Sequence, residues 1–530
     1  MATFQQPLIN QLIGRLQARP PDDREAYTAI LREMRRYSGA SIVEAALRIL
    51  WAKYPTKVDE LQMAPWHILL LVKWALKDPH VALRTGPQIS AEAFDNMRQR
   101  VLDLVGLEHK RNPPENLFLM MRAHLQQIEF QRAEGWGFLR WPALIARQPA
   151  SHPSHRQVTE ELGLPVAHLI DLSYGLFAAV LGRELPLALG WLEPMRTAYG
   201  VSIDAFWALV ARDLPTLRED LRREQPRRLP PRQELYEFPY LKRFPMVRLR
   251  DGRIHCWHPM VFARGLEDLV HLRLSELHSE YTEPFSRLFE KYVVELAKAM
   301  DPSALSDAEY LALAGNGASN VEAAIACGDC NVFVEAKMSL FADDVVLTDS
   351  EVQVYQKTKR LREGIKQAWN VGQAVRGNNS PLHAHAAAQQ DFLLLVTSRE
   401  LFVGDGEMLQ RLYRAGDFDY PDEAAKANLP LRNVFIMSIE NYERLSCAVA
   451  AGAVSLPALL KEAAAKSQDP ATSSMLFDGY LQPYVKGWGL PDLLQNARKQ
   501  SESRLAVAFG ASPDRFELVG TDPHVEETPD

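Results

Sequence analysis

The sequence predicts an α+β multidomain protein, in which a large all-α N-terminal region precedes an α/β domain. Its 530 residues, 47% of them hydrophobic, are enough for about two to four domains with a large core. Apolar residues repeat at helical spacing through residues 1–235, as in residues 42–54, and no strand pattern stands out there. Short apolar runs typical of buried strands, such as residues 391–398, follow later in the chain.

The composition is that of a globular protein and argues against several other classes. Lys and Arg total 60 and Asp and Glu total 67, which gives a net charge of −7. This balance disfavours a uniformly basic protein that coats nucleic acid, although it allows a local basic groove. Four cysteines in 530 residues disfavour a disulfide scaffold. We interpret Cys327 and Cys330 as two small residues that flank a turn, rather than as half of a zinc site.

The sequence shows no targeting or membrane signal. The N-terminus lacks a basic segment followed by an apolar one. The most apolar stretch, residues 66–76, is interrupted by His67 and Lys73 and is too short to span a membrane. We therefore expect a cytoplasmic protein with no membrane partner, and the sequence leaves the oligomeric state open.

The chain divides into four predicted regions. Residues 1–235 are expected to form a helical recognition, sensor or oligomerisation domain. Residues 236–279 are expected to be a linker with a β-hairpin, because polar and apolar residues alternate around Asp251 and Gly252. Residues 280–465 carry the strand patterns. Residues 466–530 are expected to hold a C-terminal helix and an acidic, disordered tail.

The most informative stretch is residues 320–337, which the pattern predicts to be a β-hairpin with its turn at Gly328-Asp329. Glu335 and Lys337 are alternate residues of the second strand, so both side chains lie on one face. Glu322 lies thirteen residues before Glu335 and is expected to come near it across the hairpin. Carboxylates at the end of an apolar strand suit a divalent metal, and a lysine beside them suits a phosphate.

Helices are predicted on both sides of this hairpin. Residues 285–300 form an amphipathic pattern with Glu290 at the flank of the apolar face. Residues 350–375 form a second one, in which Gln353 and Lys357 share a flank. Two further apolar runs, residues 391–398 and 433–438, have the continuous character of strands that are covered on both faces of a sheet.

Residues 280–465 resemble the PD-(D/E)xK nuclease superfamily, whose restriction-endonuclease-like core has the order αβββαβ. Glu335 and Lys337 match the E-x-K of that motif directly. Glu322 stands where the superfamily usually has an aspartate, and Asn320 and Asp329 are alternative positions for that first acid. The helical region 1–235 resembles no family that we recognise.

The resemblance implies a metal-dependent nuclease. It makes Glu322, Glu335 and the backbone carbonyl of Ala336 the ligands of Mg²⁺ or Mn²⁺. Lys337 would position the attacking water. The accessory site residues would be Glu290, from the helix before the hairpin, and Gln353 and Lys357, from the helix after it.

The expected substrate is nucleic acid, double-stranded DNA rather than RNA. A helical module joined to a nuclease is similar to bacterial anti-phage defence effectors, in which a protein trigger would bind the helical region. The alternative is a non-catalytic nucleic-acid-binding or scaffolding protein whose nuclease fold has decayed.

Overall fold

The computed structural model confirms the α+β class, with many helices and two small sheets. It describes residues 23–111, 117–125, 127, 130, 136–224, 231–277, 280–315, 318–338, 346–348, 350–377, 382–413, 423–469, 471–484 and 489–510. The predicted acidic tail, residues 521–530, lies outside the described residues, so its predicted disorder stays a prediction.

Helices make up most of the described structure before residue 245. The N-terminal ones are α1 Asp23–Met34, α2 Gly39–Leu50, α3 Lys57–Gln62, α4 Pro65–Lys77, α5 Ala91–Arg111 and α6 Leu117–Leu125. They are followed by α7 Arg140–Ala146, α8 Pro153–Leu162, α9 Val166–Leu181, α10 Arg196–Tyr199, α11 Ser202–Val210, α12 Leu214–Glu224 and α13 Pro231–Tyr236. The short strand β1, Ala211–Asp213, interrupts this series and corrects the expectation that residues 1–235 contain no strand.

The predicted hairpin around Asp251 and Gly252 is present as β2 Met246–Arg248 and β3 Ile254–Cys256. Gly252 has a φ of +78°, which glycine adopts without strain and which the turn requires. The predicted linker, however, also contains the 19-residue helix α14, Pro259–Leu277. The described residues 236–277 are therefore a folded part of the chain and not a linker.

The second half of the chain builds a mixed sheet from five strands of the described residues. The elements are α15 Thr282–Met300, β4 Leu305–Ser306, α16 Asp307–Ala314, β5 Ala323–Ala326, β6 Cys330–Lys337, α17 Glu351–Lys357, α18 Lys359–Val375, α19 His383–Ala386 and β7 Gln390–Thr397. They continue with α20 Gly406–Arg411, α21 Glu423–Asn428, β8 Val434–Ser438, α22 Ile439–Ala450, α23 Leu456–Lys466, α24 Asp478–Leu481 and α25 Asp492–Ala508. The sheet order is β4-β5-β6-β7-β8.

Strand direction in this sheet changes at β6. Strands β4, β5 and β6 are antiparallel neighbours, whereas β6, β7 and β8 run parallel. The first strand, β4, has only two residues, and sequence patterning gave no sign of it. The central strands are buried along almost their whole length, as expected for parallel strands that are covered on both faces.

Helix α18 covers one face of the sheet. Its apolar residues pack with those of the central strands in one core, whose members include Leu361, Ile365, Trp369, Phe333 and Leu395. The predicted single helix over residues 350–375 is in fact divided at Thr358 into α17 and α18. The helical period of the apolar residues therefore predicted the packed face correctly but not the break.

Two compact units form the described structure, and their boundaries differ from the predicted ones. One unit comprises Met1–Pro114, Arg212–Leu241 and Val247–Asp251. The other comprises Glu115–Ala211, Lys242–Met246 and Gly252–Asp530. Helices α7 and α9 belong to the second unit because their aromatic residues pack on α14 and α15.

Two aromatic contacts illustrate this packing within the second unit. Phe177 of α9 stacks on Phe262 of α14, with ring centroids 6.4 Å apart. Trp141 of α7 meets the ring edge of Phe285 of α15 at 5.6 Å. Buried aromatic pairs of this kind contribute apolar area and a specific geometry, so they fix these helices to the second unit.

No single helix in the described ranges is long and apolar enough to cross a membrane. One bent pair, α8 with α9, meets the same criteria of length and composition when its two helices are taken together across a bend of 60°.

Candidate active site

The β5–β6 hairpin brings Glu322 and Glu335 together, as the sequence predicts. Ala323 is the register partner of Val334, so the next position outward sets Glu322 opposite Glu335. Directly opposed residues of an antiparallel pair lie on the same face of the sheet. The backbone N–H of Glu322 also donates a hydrogen bond to the Glu335 carboxylate. The strand register therefore makes the two acids neighbours, and their charges influence each other.

Lys337 completes this group. Its ammonium donates a hydrogen bond to the Glu335 carboxylate and another to Gln367 Oε1 of α18, at 3.2 Å. The Glu335 side chain is only 2% exposed and that of Lys337 is 20% exposed. Breaking a buried ion pair by removing one partner leaves an uncompensated charge, so the two residues depend on each other.

Gly364 of α18 makes room for the ion pair. A Cβ atom at position 364 would lie 3.2 Å from Glu335 Cγ and 3.3 Å from Lys337 Cε. Both distances are tighter than ordinary van der Waals contacts, so the helix can approach the strand this closely because the residue is glycine. Gln367 follows three residues later on the same side of α18, where it reaches Lys337.

The acids around Glu322 outnumber the nearby cation. Burial raises the pKa of Glu322 to about 8, and the charges of Glu335, Glu290 and Asp307 add to this effect while Lys337 opposes it. Burial also raises the pKa of Glu335, although Lys337 and the N–H of Glu322 act in the other direction. A cluster of this kind favours protons or a bound cation, because like charges in a buried site cannot all ionise without a counter-charge.

Glu290 and Asp307 are held by neighbouring elements. Glu290 lies on α15, and its Oε1 accepts a hydrogen bond from Ser286 Oγ at 3.0 Å. Asp307 begins α16, and its backbone N–H donates to the Glu322 carbonyl at 3.1 Å. Sequence reasoning proposed Glu290 but missed Asp307. The available signal was the capping box, in which Ser306 and Glu309 mark the helix start beside it.

The donor types at this site fit a hard divalent cation. Carboxylate oxygens of Glu322 and Glu335 and the backbone carbonyl of Ala336 are the kind of ligand that Mg²⁺ and Mn²⁺ prefer. Within the described residues, however, no group of three or more His, Cys, Asp or Glu side chains is arranged to hold a metal ion. A metal site here would therefore have two side-chain ligands, the carboxylates of Glu322 and Glu335. A cation would bind because the acids outnumber the nearby lysine.

In the described structure, Gln353 and Lys357, the two accessory residues predicted on the helix after the hairpin, make no contact with Lys337 that resembles the one made by Gln367. Gln353 is exposed, and its Oε1 accepts a hydrogen bond from Thr348 Oγ1 at 2.7 Å. Lys357 is the exposed last residue of α17. The amide that contacts Lys337 is Gln367, which sequence reasoning missed. Its signal was the glycine at position 364, since a small residue on a helix often marks a close approach to a strand.

The alternative first acids differ in position. Asp329 lies in the exposed hairpin turn and pairs with Lys461 at 2.6 Å, at the opposite end of β6 from Glu335. It cannot share a metal with Glu335, because six strand residues span roughly 20 Å. Asn320 lies just before the hairpin and is half-buried. Glu322 is therefore the acid that the hairpin places beside Glu335.

A second buried polar cluster occupies the other end of β6 and the start of β7. Asp391 accepts two hydrogen bonds of 2.6 Å from the Arg376 guanidinium and one of 2.9 Å from Asn331 Nδ2. His385 Nδ1 bonds Asn331 Oδ1 at 3.0 Å. A Cβ at Gly372 would lie 2.6 Å from Asp391 Oδ2. This cluster pairs its one acid with one guanidinium in a bidentate contact, which is typical of a structural role.

Comparisons of this chain with protein-family models, with curated proteins and with solved structures gave no match. The assignment to the PD-(D/E)xK superfamily therefore stays a prediction from residues 280–465. The function proposed below is argued from the residues of the hairpin and the helices around it.

Proposed function

We propose that this protein is a metal-dependent nuclease that hydrolyses phosphodiester bonds of nucleic acid, with double-stranded DNA as the expected substrate. The observation that carries the proposal is the group formed by Glu322, Glu335 and Lys337, in which two opposed acids and a lysine meet at the end of the hairpin. The E-x-K resemblance adds support to it. The cytoplasmic location stays part of this proposal.

The two acids have the role of metal ligands in this proposal, together with the carbonyl of Ala336. A bound Mg²⁺ or Mn²⁺ would supply a Lewis acid for the phosphate and would lower the pKa of a bound water. The raised pKa of Glu322, about 8, means that this carboxyl holds a proton at neutral pH when no cation compensates its neighbours. Binding of a cation should therefore release a proton from Glu322.

Lys337 has the role of positioning the nucleophile. Its ammonium has three N–H groups, of which one is directed to Glu335 and one to Gln367. The third can donate to the attacking water or to a phosphate oxygen, and the two protein contacts fix the direction in which it points. The carboxylate and the amide thus restrict an otherwise flexible side chain.

The helices that follow the hairpin offer cations to a polyanionic substrate. Exposed basic residues of α17 and α18 are Lys357, Lys359, Arg360 and Lys366. Phosphate contacts from such residues supply salt-dependent affinity without sequence recognition. They suit a nucleic-acid substrate despite the net charge of −7.

The helical N-terminal region would act as the sensor of an anti-phage defence effector and would bind a protein trigger.

The alternative is a nucleic-acid-binding or scaffolding protein without catalysis. One observation favours it, namely that no three-residue metal group is present in the part of the chain that the structure describes. The two functions predict different outcomes in a single experiment, because binding does not need Glu335 whereas metal-dependent hydrolysis does.

The experiment is cleavage of plasmid DNA and of a structured RNA, with Mg²⁺ or Mn²⁺ against EDTA. Wild type is compared with Glu335→Ala and Lys337→Ala. Matched controls are Glu363→Ala and Lys298→Ala, which remove an exposed acid and an exposed lysine of the same unit. We expect metal-dependent cleavage that both site variants lose and both controls keep.

If the wild-type protein cleaves neither DNA nor RNA, metal binding is measured as a second test. Calorimetry with Mn²⁺ then asks whether metal binds and whether Glu322→Gln and Glu335→Gln abolish it. Metal binding that needs both acids would indicate an enzyme that awaits its trigger. Nucleic-acid binding without metal binding, unchanged by Lys337→Ala, would overturn the nuclease proposal in favour of the scaffold.

A further inference from the structure

The turn of the β5–β6 hairpin carries two cysteines that the proposed nuclease chemistry does not use. Cys327 and Cys330 flank the two turn residues, and the register of the hairpin sets them directly opposite each other. The Cys327 backbone N–H donates to the Cys330 carbonyl at 2.9 Å. Gly328, at a φ of +76°, closes the turn between them.

This arrangement meets the geometric requirement for a disulfide. Opposed residues of an antiparallel pair have their Cα atoms about 4.5–5.5 Å apart, within the range that disulfides span. The two thiols are close enough to shift each other's pKa, which is raised for Cys327 and lowered for Cys330.

The surroundings also suit oxidation. Cys327 is partly exposed in the turn, so a small oxidant can reach the pair. The hydrogen bond from Cys327 and the charge of Lys461 lower the pKa of Cys330. Lys461 is held beside the turn by Asp329, at 2.6 Å. The other two cysteines differ, because burial raises the pKa of both Cys256 and Cys447.

We propose that Cys327 and Cys330 are a site of reversible oxidation, at which a hydroperoxide or a glutathione disulfide converts the two thiols to an intrachain disulfide. With a hydroperoxide, two S–H bonds and one O–O bond break, and one S–S bond forms. The peroxide takes up both electrons and both hydrogens, so hydrogen peroxide leaves as two waters. Reduction by two thiols reverses the change.

The site lies on the strands that position the proposed metal ligands. Glu322 precedes Cys327 by five residues, and Glu335 follows Cys330 by five. The disulfide would close the turn end of the same hairpin covalently. The inference itself does not depend on nuclease activity, because thiol oxidation can be measured on a protein that cleaves nothing.

The test is a redox titration of the full-length, reduced protein in glutathione buffers, followed by alkylation, trypsin digestion and mass spectrometry. Residues 299–337 contain no Lys or Arg before Lys337, so both cysteines fall in one tryptic peptide. We expect that peptide to escape alkylation and to lose two hydrogens as the buffer becomes oxidising. Because one glutathione disulfide yields two glutathione thiols, the ratio of oxidised to reduced peptide should change about tenfold for each tenfold change in the buffer's ratio of glutathione disulfide to the square of the glutathione thiol concentration.

Single variants keep the test specific. In Cys327→Ser and in Cys330→Ser, the remaining thiol should be alkylated or carry glutathione, and no intrapeptide disulfide should form. Cys447→Ser should titrate as wild type does. Full alkylation of both cysteines in the most oxidising buffer would overturn the proposal, and so would a disulfide to Cys256 or Cys447. Circular dichroism of each variant checks that the fold is kept.

Discussion

The two ends of strand β6 carry buried polar groups of opposite character. At one end, Asp391 is matched by the two-pronged contact of Arg376 and by Asn331. At the other, Glu335 has Lys337 as its partner, and Glu322 lies opposite with its pKa raised by burial and by the neighbouring acids. The same strand and the same covering helix support both clusters.

The difference teaches how to separate a structural polar cluster from a functional one. A structural cluster pairs its charges, because an uncompensated buried charge costs several kcal/mol. A cluster in which acids outnumber cations destabilises the fold unless protons or a ligand compensate the charge, which makes it a candidate site. By this criterion the Asp391 cluster stabilises the sheet, and the Glu335 cluster is the place at which we propose that a cation and a substrate bind.

The largest expected effect concerns the charged residues themselves. Glu335→Gln should lower metal-dependent cleavage by about 1000-fold or more, because it removes a metal ligand while keeping the volume of the side chain. Arg376→Met should instead lower the free energy of unfolding by about 3 kcal/mol, because it leaves Asp391 buried without its partner. Initial cleavage rates and urea unfolding curves measure the two effects.

Glu335→Gln and Arg376→Met should differ in which property they change most, the cleavage rate or the free energy of unfolding. Arg376→Met should leave the cleavage rate nearly unaltered once that rate is corrected for the folded fraction. Glu335→Gln also removes the partner of Lys337, but it should lower cleavage far more than its loss of stability explains. Equal loss of stability in both variants, with activity unchanged in Glu335→Gln, would make the two ends of β6 equivalent and remove the basis for a functional site.

Two glycines of α18 allow the same comparison with smaller changes. Gly372→Ala should lower the free energy of unfolding by about 2 kcal/mol or more, because its Cβ would lie 2.6 Å from Asp391 Oδ2. Gly364→Ala meets Glu335 and Lys337 at 3.2 and 3.3 Å, and the lysine stem can yield. It should cost less stability but reduce cleavage about 10-fold by displacing Lys337. Thermal unfolding and cleavage rates of both variants test this.

The pH dependence of stability should report the excess charge at Glu322. Its pKa lies near 8 in the folded protein against 4.5 for an ordinary glutamate, so the folded state binds the proton more tightly. The contribution of Glu322 to the free energy of unfolding is therefore fully present below about pH 4.5. It is lost as the pH rises toward 8, and the loss is a few kcal/mol at most. Urea unfolding in EDTA at about pH 5.5 and about pH 8.5 should show a smaller difference in Glu322→Gln than in wild type.

A control and a ligand sharpen this measurement. Glu363→Gln changes an exposed glutamate of the same unit and should keep the wild-type pH dependence. Mn²⁺ should remove much of the loss at the higher pH, because a cation bound to Glu322 compensates its charge. An identical pH dependence in wild type and Glu322→Gln would contradict the excess charge at this end of the strand.

The sequence was sufficient to predict the hairpin that holds the site, because local rules determine it. Gly328-Asp329 marks the turn, and the alternation along the strands fixes which side chains share a face. Glu322 and Glu335 were placed opposite each other by counting alone. The buried strands β7 and β8 were likewise visible as continuous apolar runs, to within one residue at each end.

The rest could not be predicted because it depends on tertiary contacts. Gln367 reaches Lys337 only through the close approach of α18 at Gly364, and Asp307 depends on the two-residue strand β4. No local pattern distinguishes Gln367 from Gln353, since both are polar residues on helical flanks. The division into two units was missed for the same reason, because it rests on long-range aromatic packing such as that of Phe177 on Phe262.

The smallest expected effect tests whether Gln367 positions Lys337. Gln367→Ala removes one of the two contacts that hold the ammonium, at 3.2 Å, so kcat should fall about 5- to 10-fold while KM for DNA changes little. Gln356→Ala, an exposed glutamine of α17, should leave both constants unchanged. Since a direct role in binding DNA would raise KM instead, that result would assign Gln367 to the substrate and not to the lysine. An unchanged kcat would show that Glu335 alone fixes Lys337, and the helix would then contribute to this end of β6 only through the space at Gly364.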